Sequence, residues 1–528
     1  MTDNDALGAL LRAAPWMSED GRRANRFERT DQVALDEHTH LLVVTAVGGP
    51  APGQRYFVPV RSGASAAAAT TGTAEGPTDT AGPAGTAAPT GTAGTSGPAG
   101  PVGPAATGGL EEAHGALEFD RAVWRAVGAG AELRTARGGS VRFRGAGPAA
   151  GPLRRLPFER GWSSNALSLL ETGGTAYVHK TYRRLDEPVR EPELLRLMNG
   201  TGRTPDWAGD YVYVDPADGT RHPLGVFYRY APGDGVDTPL RENMRSLWPK
   251  VTAGSDVERT VRDHLRPLAG NLRDAGRFLT GFHRDLAARL GGGTPRPYPV
   301  LDALARAEAR LTALEQVDLA LPHGVRAAAF EALRAESAAL RAGFESRPTA
   351  FLSAPAHGDL HLSHLLCRPR DDGRWSMQVI DMSTPALGPD DAGWAEQSPV
   401  QDLVAVERAL EYFAADEAAF ESAGRLGIDS LETMTGALDG AADWPDGPRA
   451  VLRQVFHAAD VWRAQVLRLL LGPTSPDPLR RLLYLARLLH ELAYNGDHAR
   501  PYHAAIDLRH ALMTAAHAPA PTPTSART

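Results

Sequence analysis

Cysteine and lysine are almost missing from this chain. The single cysteine, Cys367, excludes an intramolecular disulfide and any multi-cysteine zinc site, and fits a reducing compartment. Two lysines, Lys180 and Lys250, stand against 54 arginines, so each is a candidate for a role that a planar guanidinium cannot fill. Positive charge is not in excess either. The net charge of −7 argues against a general polyanion grip on nucleic acid or anionic membrane. No apolar run approaches the roughly 18 residues needed to span a bilayer, and the longest, near Leu41 to Val47, is strand-sized. The opening Met-Thr-Asp-Asn-Asp-Ala has neither the basic nor the apolar region of a secretory signal. The expectation is a cytoplasmic protein that binds neither nucleic acid nor membrane; its oligomeric state is not legible.

What is present falls into blocks. Residues 62–109 are built almost wholly from Ala, Gly, Thr, Pro and Ser. Such a stretch buries too little apolar surface to offset its ordering entropy, so a linker or loop insertion is expected. The tail 516–528 reads the same way. Strand-like and helix-like pieces on both sides of the insertion, Leu41 to Val47, Gln54 to Val60, Phe119 to Gly128 and Ser140 to Phe143, make residues 1–61 and 110–150 an N-terminal cap module. Residues 151–232 are β-rich: Ala166 to Glu171 and Thr175 to Arg183 meet at Gly173-Gly174, a hairpin signal, and Tyr211 to Val214 and Leu224 to Tyr230 follow a helix within Glu191 to Met198. Residues 233–515 carry long Arg-, Ala- and Leu-rich helices within 257–290, 300–342, 400–414, 450–471 and 479–494, interrupted by a β-rich segment at 350–382. The fold class is α+β, a small β-rich lobe followed by a large helical one.

The interruption holds HGDLHLSHLL at 357–366 and, after the turn Asp371-Asp372-Gly373, a strand ending in Ile380-Asp381-Met382. Phosphoryl transfer from ATP needs a carboxylate to orient and deprotonate the acceptor hydroxyl, a carboxylate for Mg²⁺ and a cation on the phosphates. Asp359, Asp381 and Lys180 have those types in that chain order, with Glu193 on the helix after the lysine strand. His-x-Asp alone is a weak motif, since His357 also suits a core histidine that fixes its loop. Followed by a strand-end Asp and preceded by one of two lysines, it is a strong constellation.

These segments resemble the maltokinase branch of the aminoglycoside phosphotransferase-like kinases. HGDLHLSHLL and VIDM match its catalytic and metal segments, Ser164-Asn165-Ala166-Leu167-Ser168 its phosphate-facing hairpin, and HKTYRRLDEP its ATP-lysine strand. LGVFYRYAP at 224–232 is similar to its lobe junction, GFHRDLA at 281–287 to its Leu-His-x-Ala-Leu helix, SPVQDLVAVERALEYF at 398–413 to its Ser-Pro-Leu-Arg-Asp helix, ELAY at 491–494 to its last helix, and Trp16 to Val60 to its cap. The resemblance implies a bilobal protein-kinase-like fold and an ATP- and Mg²⁺-dependent sugar kinase, with maltose as the leading acceptor and an amino sugar such as glucosamine, or an aminocyclitol, as the alternative. It implies Asp359 as catalytic base beside His357, Asp381 as metal ligand, Lys180 on the α/β-phosphates and Glu193 as its partner. Ser163, Ser164 and Asn165 would lie over the phosphates, and Tyr228, Arg229 and Tyr230 against the adenine.

The departures are specific. The second metal ligand, Gln or Asn in the family, is His364, which weakens Mg²⁺ and favours Mn²⁺. Asp-Phe-Glu-Gly-Glu-Pro has become Asp381-Met382-Ser383-Thr384-Pro385-Ala386, the Arg of Ser-Pro-Leu-Arg-Asp is Gln401, and the tryptophan-rich run after the junction is GDGVDTPLREN. Acids available to an acceptor ammonium are Asp234, Asp237, Glu242, Asp402, Glu407 and Glu411. Two readings compete with the kinase: a degenerate kinase fold that binds nucleotide or sugar without transfer, suggested by His364 and Ser383, and a zinc hydrolase built on His357, Asp359, His361 and His364.

Overall fold

The structure, a computed structural model, describes residues 3–62, 110–145, 151–158, 165–290, 296–317, 323–347, 350–382, 395–428, 445–472 and 477–516. The insertion beyond Ser62 and the tail beyond Ala516 lie outside them. The chain divides into two compact units, Met1–Pro188 with Ala208–Tyr230, and Val189–Trp207 with Ala231–Thr528. Strands concentrate in the first and helices in the second, so the α+β class is as expected. Among the described residues no helix is long and apolar enough to cross a membrane.

In the first unit, helices α1 (Asp3–Ala13) and α2 (Glu19–Arg22) precede a four-stranded antiparallel sheet in the order β1 (Arg26–Ala34), β2 (Thr39–Val47), β3 (Arg55–Ser62), β4 (Leu110–Glu112). Alternate residues of a strand face opposite sides. Leu42 and Val44 of β2 therefore join Leu7, Leu10 and Leu11 of α1, while Leu41 and Val43 join a second core with Phe119 and Val123 of α3 (Leu117–Ala129). Cover on both faces is why β2 reads as a continuous apolar run.

The larger sheet has seven strands: β5 (Glu132–Arg134), β6 (Ser140–Gly145), β7 (Arg154–Arg155), β8 (Ala166–Thr172), β9 (Thr175–Thr181), β10 (Trp207–Val214) and β11 (Arg221–Arg229), in the order β5-β6-β10-β11-β9-β8-β7. Residues 110–150, grouped in sequence with the cap, thus lend β5 and β6 to this sheet, with β6 antiparallel to β10. A bulge between Arg29 and Asp31 of β1 turns the Asp31 carboxylate inward. There it accepts hydrogen bonds from Thr135 Oγ1 (2.6 Å), Tyr213 Oη (2.9 Å) and the Arg137 N–H (3.0 Å).

The second unit begins with α4 (Glu191–Met198) and continues with β12 (Asp234–Gly235), α5 (Asp237–Leu247), α6 (Val257–Leu265), α7 (Ala269–Arg289), α8 (Val300–Glu315), α9 (His323–Ser346), β13 (Leu365–Pro369), β14 (Trp375–Val379), α10 (Pro399–Leu426), α11 (Asp446–Leu471), α12 (Pro478–Asp497) and α13 (Pro501–Ala516). The periodic stretches 257–290 and 300–342 each contain two helices. One apolar core gathers α5, α6, α7, α10 and α11 around Trp462 with Leu360 and Leu362 of the loop before β13 and Leu365 of β13 itself; a second gathers α8, α9, α12 and α13. Close approach of α7 to α11 requires Gly276, where a Cβ would stand 1.8 Å from the Leu470 carbonyl oxygen. The strands β12, β13 and β14 form a small sheet whose hairpin turns at Gly373 with φ 75°. The catalytic-type sequence 357–364 sits between the helical cores and this sheet's first long strand.

Candidate active site

In the first unit, Lys180 lies near the end of β9, opposite Val226 of β11 and Leu167 of β8. It is buried, with Nζ 5.8 Å from the ring centre of Tyr182. Its neighbour His179 faces the other side of the sheet. There His179 Nδ1 donates to Asp120 of α3 (2.8 Å), Nε2 accepts from Tyr211 Oη (3.1 Å), and the ring stacks on Phe227 at 4.0 Å. The lysine strand is thereby fixed in register and rotation by its unexposed face. Lys250 has a surface role: Nζ lies 2.9 Å from His264 Nδ1. Ser163 and Ser164 lie outside the described residues, and Asn165 directly precedes β8. Tyr228 and Arg229 pair with Val178 and Tyr177, and the Tyr230 N–H donates to the Ala176 carbonyl (2.9 Å).

In the second unit, Glu193 is 41% exposed and ion-paired with Arg190, whose Nε donates at 2.9 Å. The buried carboxylate of α4 is Glu191, 2% exposed.

The loop 357–364 brings together His357, Asp359 and His364, and β14 delivers Asp381 to them. Gly358 takes φ 90°, open to glycine without strain, and this turns Asp359 away from the core. The Asp402 carboxylate, wholly buried, clamps the turn: Oδ2 accepts from the His357 N–H (2.7 Å) and His283 Nε2 (2.8 Å), and Oδ1 from the Gly358 N–H (2.8 Å). His357 Nε2 donates to the Ile380 carbonyl (2.9 Å), which leaves Nδ1 to accept the Asp359 N–H at 3.4 Å. Both ring nitrogens serve backbone groups, so His357 is a positioning residue that ties the Asp359 turn to the strand bearing Asp381. A zinc cluster built on His357 fails for the same reason: neither nitrogen is left for a metal.

His364 Nδ1 lies 3.0 Å from the Asp359 carbonyl oxygen, and its Nε2 3.4 Å from Asp381 Oδ2. Asp381 itself has φ 57°, a left-handed conformation rare for a residue with a Cβ. Asp359 and Asp381 both keep about half of their side chains exposed, 48% and 40%. Arg487 of α12 stands 3.7 Å from Asp359 and donates to Glu491 at 2.6 Å. Ser383 to Ala386 lie outside the described residues.

Three of the acids offered to an acceptor ammonium are committed elsewhere. Asp402 is the loop clamp, Glu407 accepts from Arg480 (2.6 Å), and Glu411 is buried among Arg408, Arg463 and Tyr484. Asp237 differs. Its Oδ1 lies against the backbone of Gly235 and close to Ser363, where a Cβ on Gly235 would be 2.2 Å from the oxygen and 2.7 Å from Ser363 Cα. Burial raises its pKa, and Arg241, 3.9 Å away and bound mainly to Glu417, only partly opposes that.

Sequence reasoning missed Asp402 as an anchor and Arg487 as the charged neighbour of Asp359; the signal for Asp402 was its place in the first turn of a capped helix.

Acid should loosen this site. Burial holds His357 neutral, with a pKa below the ordinary histidine value, and pushes His361 down to about 4; buried His114 and His510 are lowered too. An unfolded chain accepts these protons near pH 6.5 while the folded chain refuses them, so stability declines as pH falls from about 6.5 towards 4. Glu411, raised by burial to about 7, and Asp507, raised to about 6, act in the opposite sense on fewer groups. Thermal unfolding should give a lower Tm at pH 5 than at pH 7.5; an unchanged or higher Tm refutes the histidine account.

No family model matches the sequence, and no curated protein matches it. Among solved structures, the chain is similar to a glucosamine kinase in complex with glucosamine, ADP and inorganic phosphate, at 17% identity over 96% of this chain and 99% of that one, with a TM-score of 0.49. A thermostable mutant of an aminoglycoside phosphotransferase in ternary complex with ADP and hygromycin B is similar at 12% identity over 70% of this chain and 95% of its own, TM-score 0.32. A Plasmodium vivax ethanolamine kinase is similar at 13% identity over 64% and 81%, TM-score 0.27.

Proposed function

We propose that the chain is an ATP-dependent phosphotransferase acting on a sugar hydroxyl, with an amino sugar as acceptor. The carrying observation is the pair of half-exposed carboxylates, Asp359 on a clamped turn and Asp381 in a strained conformation, linked through His357 and His364. ATP supplies the phosphoryl group; Asp381 and His364 would hold a divalent ion, which would supply charge neutralisation at the phosphates. Asp359 takes the acceptor hydroxyl's proton as that oxygen bonds to the γ-phosphorus; the bond to the β–γ bridging oxygen breaks, and ADP leaves. Lys180 meets the α/β-phosphates, Ser163, Ser164 and Asn165 cover them, and the Tyr228 to Tyr230 backbone meets the adenine, Tyr230 through its carbonyl.

The amino-sugar acceptor rests on Asp237, whose partly buried carboxyl is under-compensated by Arg241 and suits an ammonium. Maltose offers no ammonium and stands second. A panel of glucosamine, maltose, glucose and aminocyclitols with ATP, read by NMR of the products, tests both points. Preferential phosphorylation of glucosamine is expected, and maltose 1-phosphate as the main product overturns the acceptor. Nucleotide binding without turnover on the whole panel supports the second reading, a binding protein without transfer, which His364 in a ligand position favours.

A further inference from the structure

The two carboxylates of the site, Asp359 and Asp381, stand on short segments whose backbones are held from outside, and α7 lies behind both. For Asp359 the chain of contacts runs from His283 of α7 to Asp402, and from Asp402 to the His357 and Gly358 N–H groups. For Asp381 it starts from another side of the same helix. Asn271, Asp274, Phe278, Gly281 and Asp285 follow one another at steps of three and four, so they form one stripe along α7.

The β13–β14 hairpin is attached to that stripe at both ends. At the tip, Asn271 Nδ2 donates to the Gly373 carbonyl (3.2 Å) and Arg374 Nε to Asp274 Oδ2 (2.7 Å). At the other end the attachment passes through Arg203, in the loop after α4. Its Nε donates to Asp285 Oδ2 at 2.9 Å, its guanidinium lies 5.1 Å from the ring centre of Phe278, and it is seated over Gly281, where a Cβ would stand 2.3 Å from Nη2.

β14 is an edge strand of its sheet, so alternate N–H groups point away from β13 and need another partner. The loop supplies carbonyls. The Val379 N–H donates to the Arg203 oxygen at 2.8 Å, and Gln378 Nε2 donates to the Thr204 oxygen at 3.1 Å. On the opposite edge the Ile380 N–H donates to the His364 carbonyl at 3.0 Å, and the Ile380 carbonyl accepts from His357. The strand is thus gripped on both edges immediately before Asp381. Thr201 closes the loop's own turn: its Oγ1 donates to the Met198 carbonyl (2.7 Å) and accepts from the Arg203 N–H (3.2 Å).

We propose that Arg203, seated on Gly281 and Asp285, is a positioning residue for Asp381: it ties the outer edge of β14 to α7, so that one helix sets where both carboxylates stand. Arg203 acts through its own backbone carbonyl, whose place its side chain fixes. The proposal rests on the phosphotransfer reading, in which a misplacement of about 1 Å costs about 10²-fold in rate.

The test uses the full chain. Arg203→Ala should lower kcat about 10-fold or more and leave the KM for the acceptor within about two-fold. Gly281→Ala is a second, independent approach, and it decides the matter if R203A does not fold. Alanine is the better helix former, but its methyl occupies the seat of the guanidinium. G281A should keep or raise the Tm while its kcat falls, an outcome that mere weakening of the fold does not produce. In the ligand-free protein, hydrogen exchange read by mass spectrometry should accelerate about 10-fold or more in the peptide containing Val379 in both variants, with the peptide containing His357 and Gly358 unchanged. Asp274→Asn, at the far end of the hairpin, should speed exchange at the tip and leave kcat within about two-fold. Unchanged Val379 exchange in the variants, or accelerated exchange with unchanged kcat, overturns the positioning role and leaves phosphotransfer standing. A loss of kcat in D274N equal to that in R203A assigns the effect to hairpin docking as a whole and overturns the role of Arg203 as well. Absence of sugar phosphorylation in wild type removes the phosphotransfer reading and this proposal with it.

Discussion

Asp359→Asn should lower kcat for sugar phosphorylation by about 10²–10⁴-fold while nucleotide affinity stays within a factor of two or so. An amide of the same shape still occupies the turn, because the clamp on that turn is made by Asp402 to the His357 and Gly358 N–H groups and by His357 to Ile380, none of which involves the Asp359 side chain. Folding stability should therefore change by no more than about 0.5 kcal/mol, as expected for a half-exposed side chain. What the variant loses is a proton acceptor. Its acceptor KM should move less than kcat, since orientation by the loop persists. Full activity in the variant would remove Asp359 from the base role. An equal loss of nucleotide binding would mean that the side chain serves the phosphates instead, and titration with ATP beside the kinetic assay separates the two.

Much of this site is legible in the amino-acid sequence. The spacing of His357, Asp359 and Asp381 around a hairpin turn puts the loop and the strand end in the right order, whereas rarity singles out Lys180 without giving it a role. The strands at Leu41 to Val47, Gln54 to Val60 and Ala166 to Arg183 follow from alternation, apolar runs and the glycine pair. What local pattern cannot carry is phase and long-range pairing. Glu191 and Glu193 are two positions apart on α4, so they face different sides, and only packing decides which is buried. Asp402 reads like any surface acid. Ser398 and Gln401 form a capping box that starts α10 and sets Asp402 in its first turn, and the partners of its carboxylate, His283, His357 and Gly358, come from elements 119, 45 and 44 residues away. Glu407 and Glu411 likewise sit on a helix that is covered on most sides, where the usual apolar stripe gives no phase.

Arg408→Ala should cost about 3–5 kcal/mol at pH 7, a large share of the about 5–15 kcal/mol that holds a typical domain folded. The guanidinium is wholly buried. It donates through Nε to Glu491 at 2.7 Å and through its two terminal nitrogens to Glu411 and Asp507, and it lies over the rings of Tyr412 and Tyr484 at 5.0 and 5.6 Å. Truncation strands carboxylates whose pKa values burial has already raised, Glu411 to about 7 and Asp507 to about 6, although Arg463, Tyr412, Tyr484 and Asn495 still donate to them and His510 stands 3.6 Å from Glu411. Without Arg408 those values rise further, and the sign of the pH response follows. A carboxyl whose folded pKa exceeds its unfolded value contributes stability that is complete below the unfolded pKa and is lost as pH rises through the folded one. The deficit of R408A should therefore shrink between pH 7 and pH 5, while wild type loses stability over the same interval through its buried histidines. Lysine should not rescue, because one compact ammonium cannot satisfy three carboxylates held in a planar fork. The loss should also reach the active site: Glu491 holds Arg487, which stands beside Asp359, so freeing Glu491 from Arg408 should lower kcat even at temperatures where the variant remains folded. Denaturant unfolding at the two pH values, with kcat measured well below the Tm, tests the whole chain of charges. A cost under about 1 kcal/mol, or a deficit that grows on acidification, would show that the cluster is compensated in some other way.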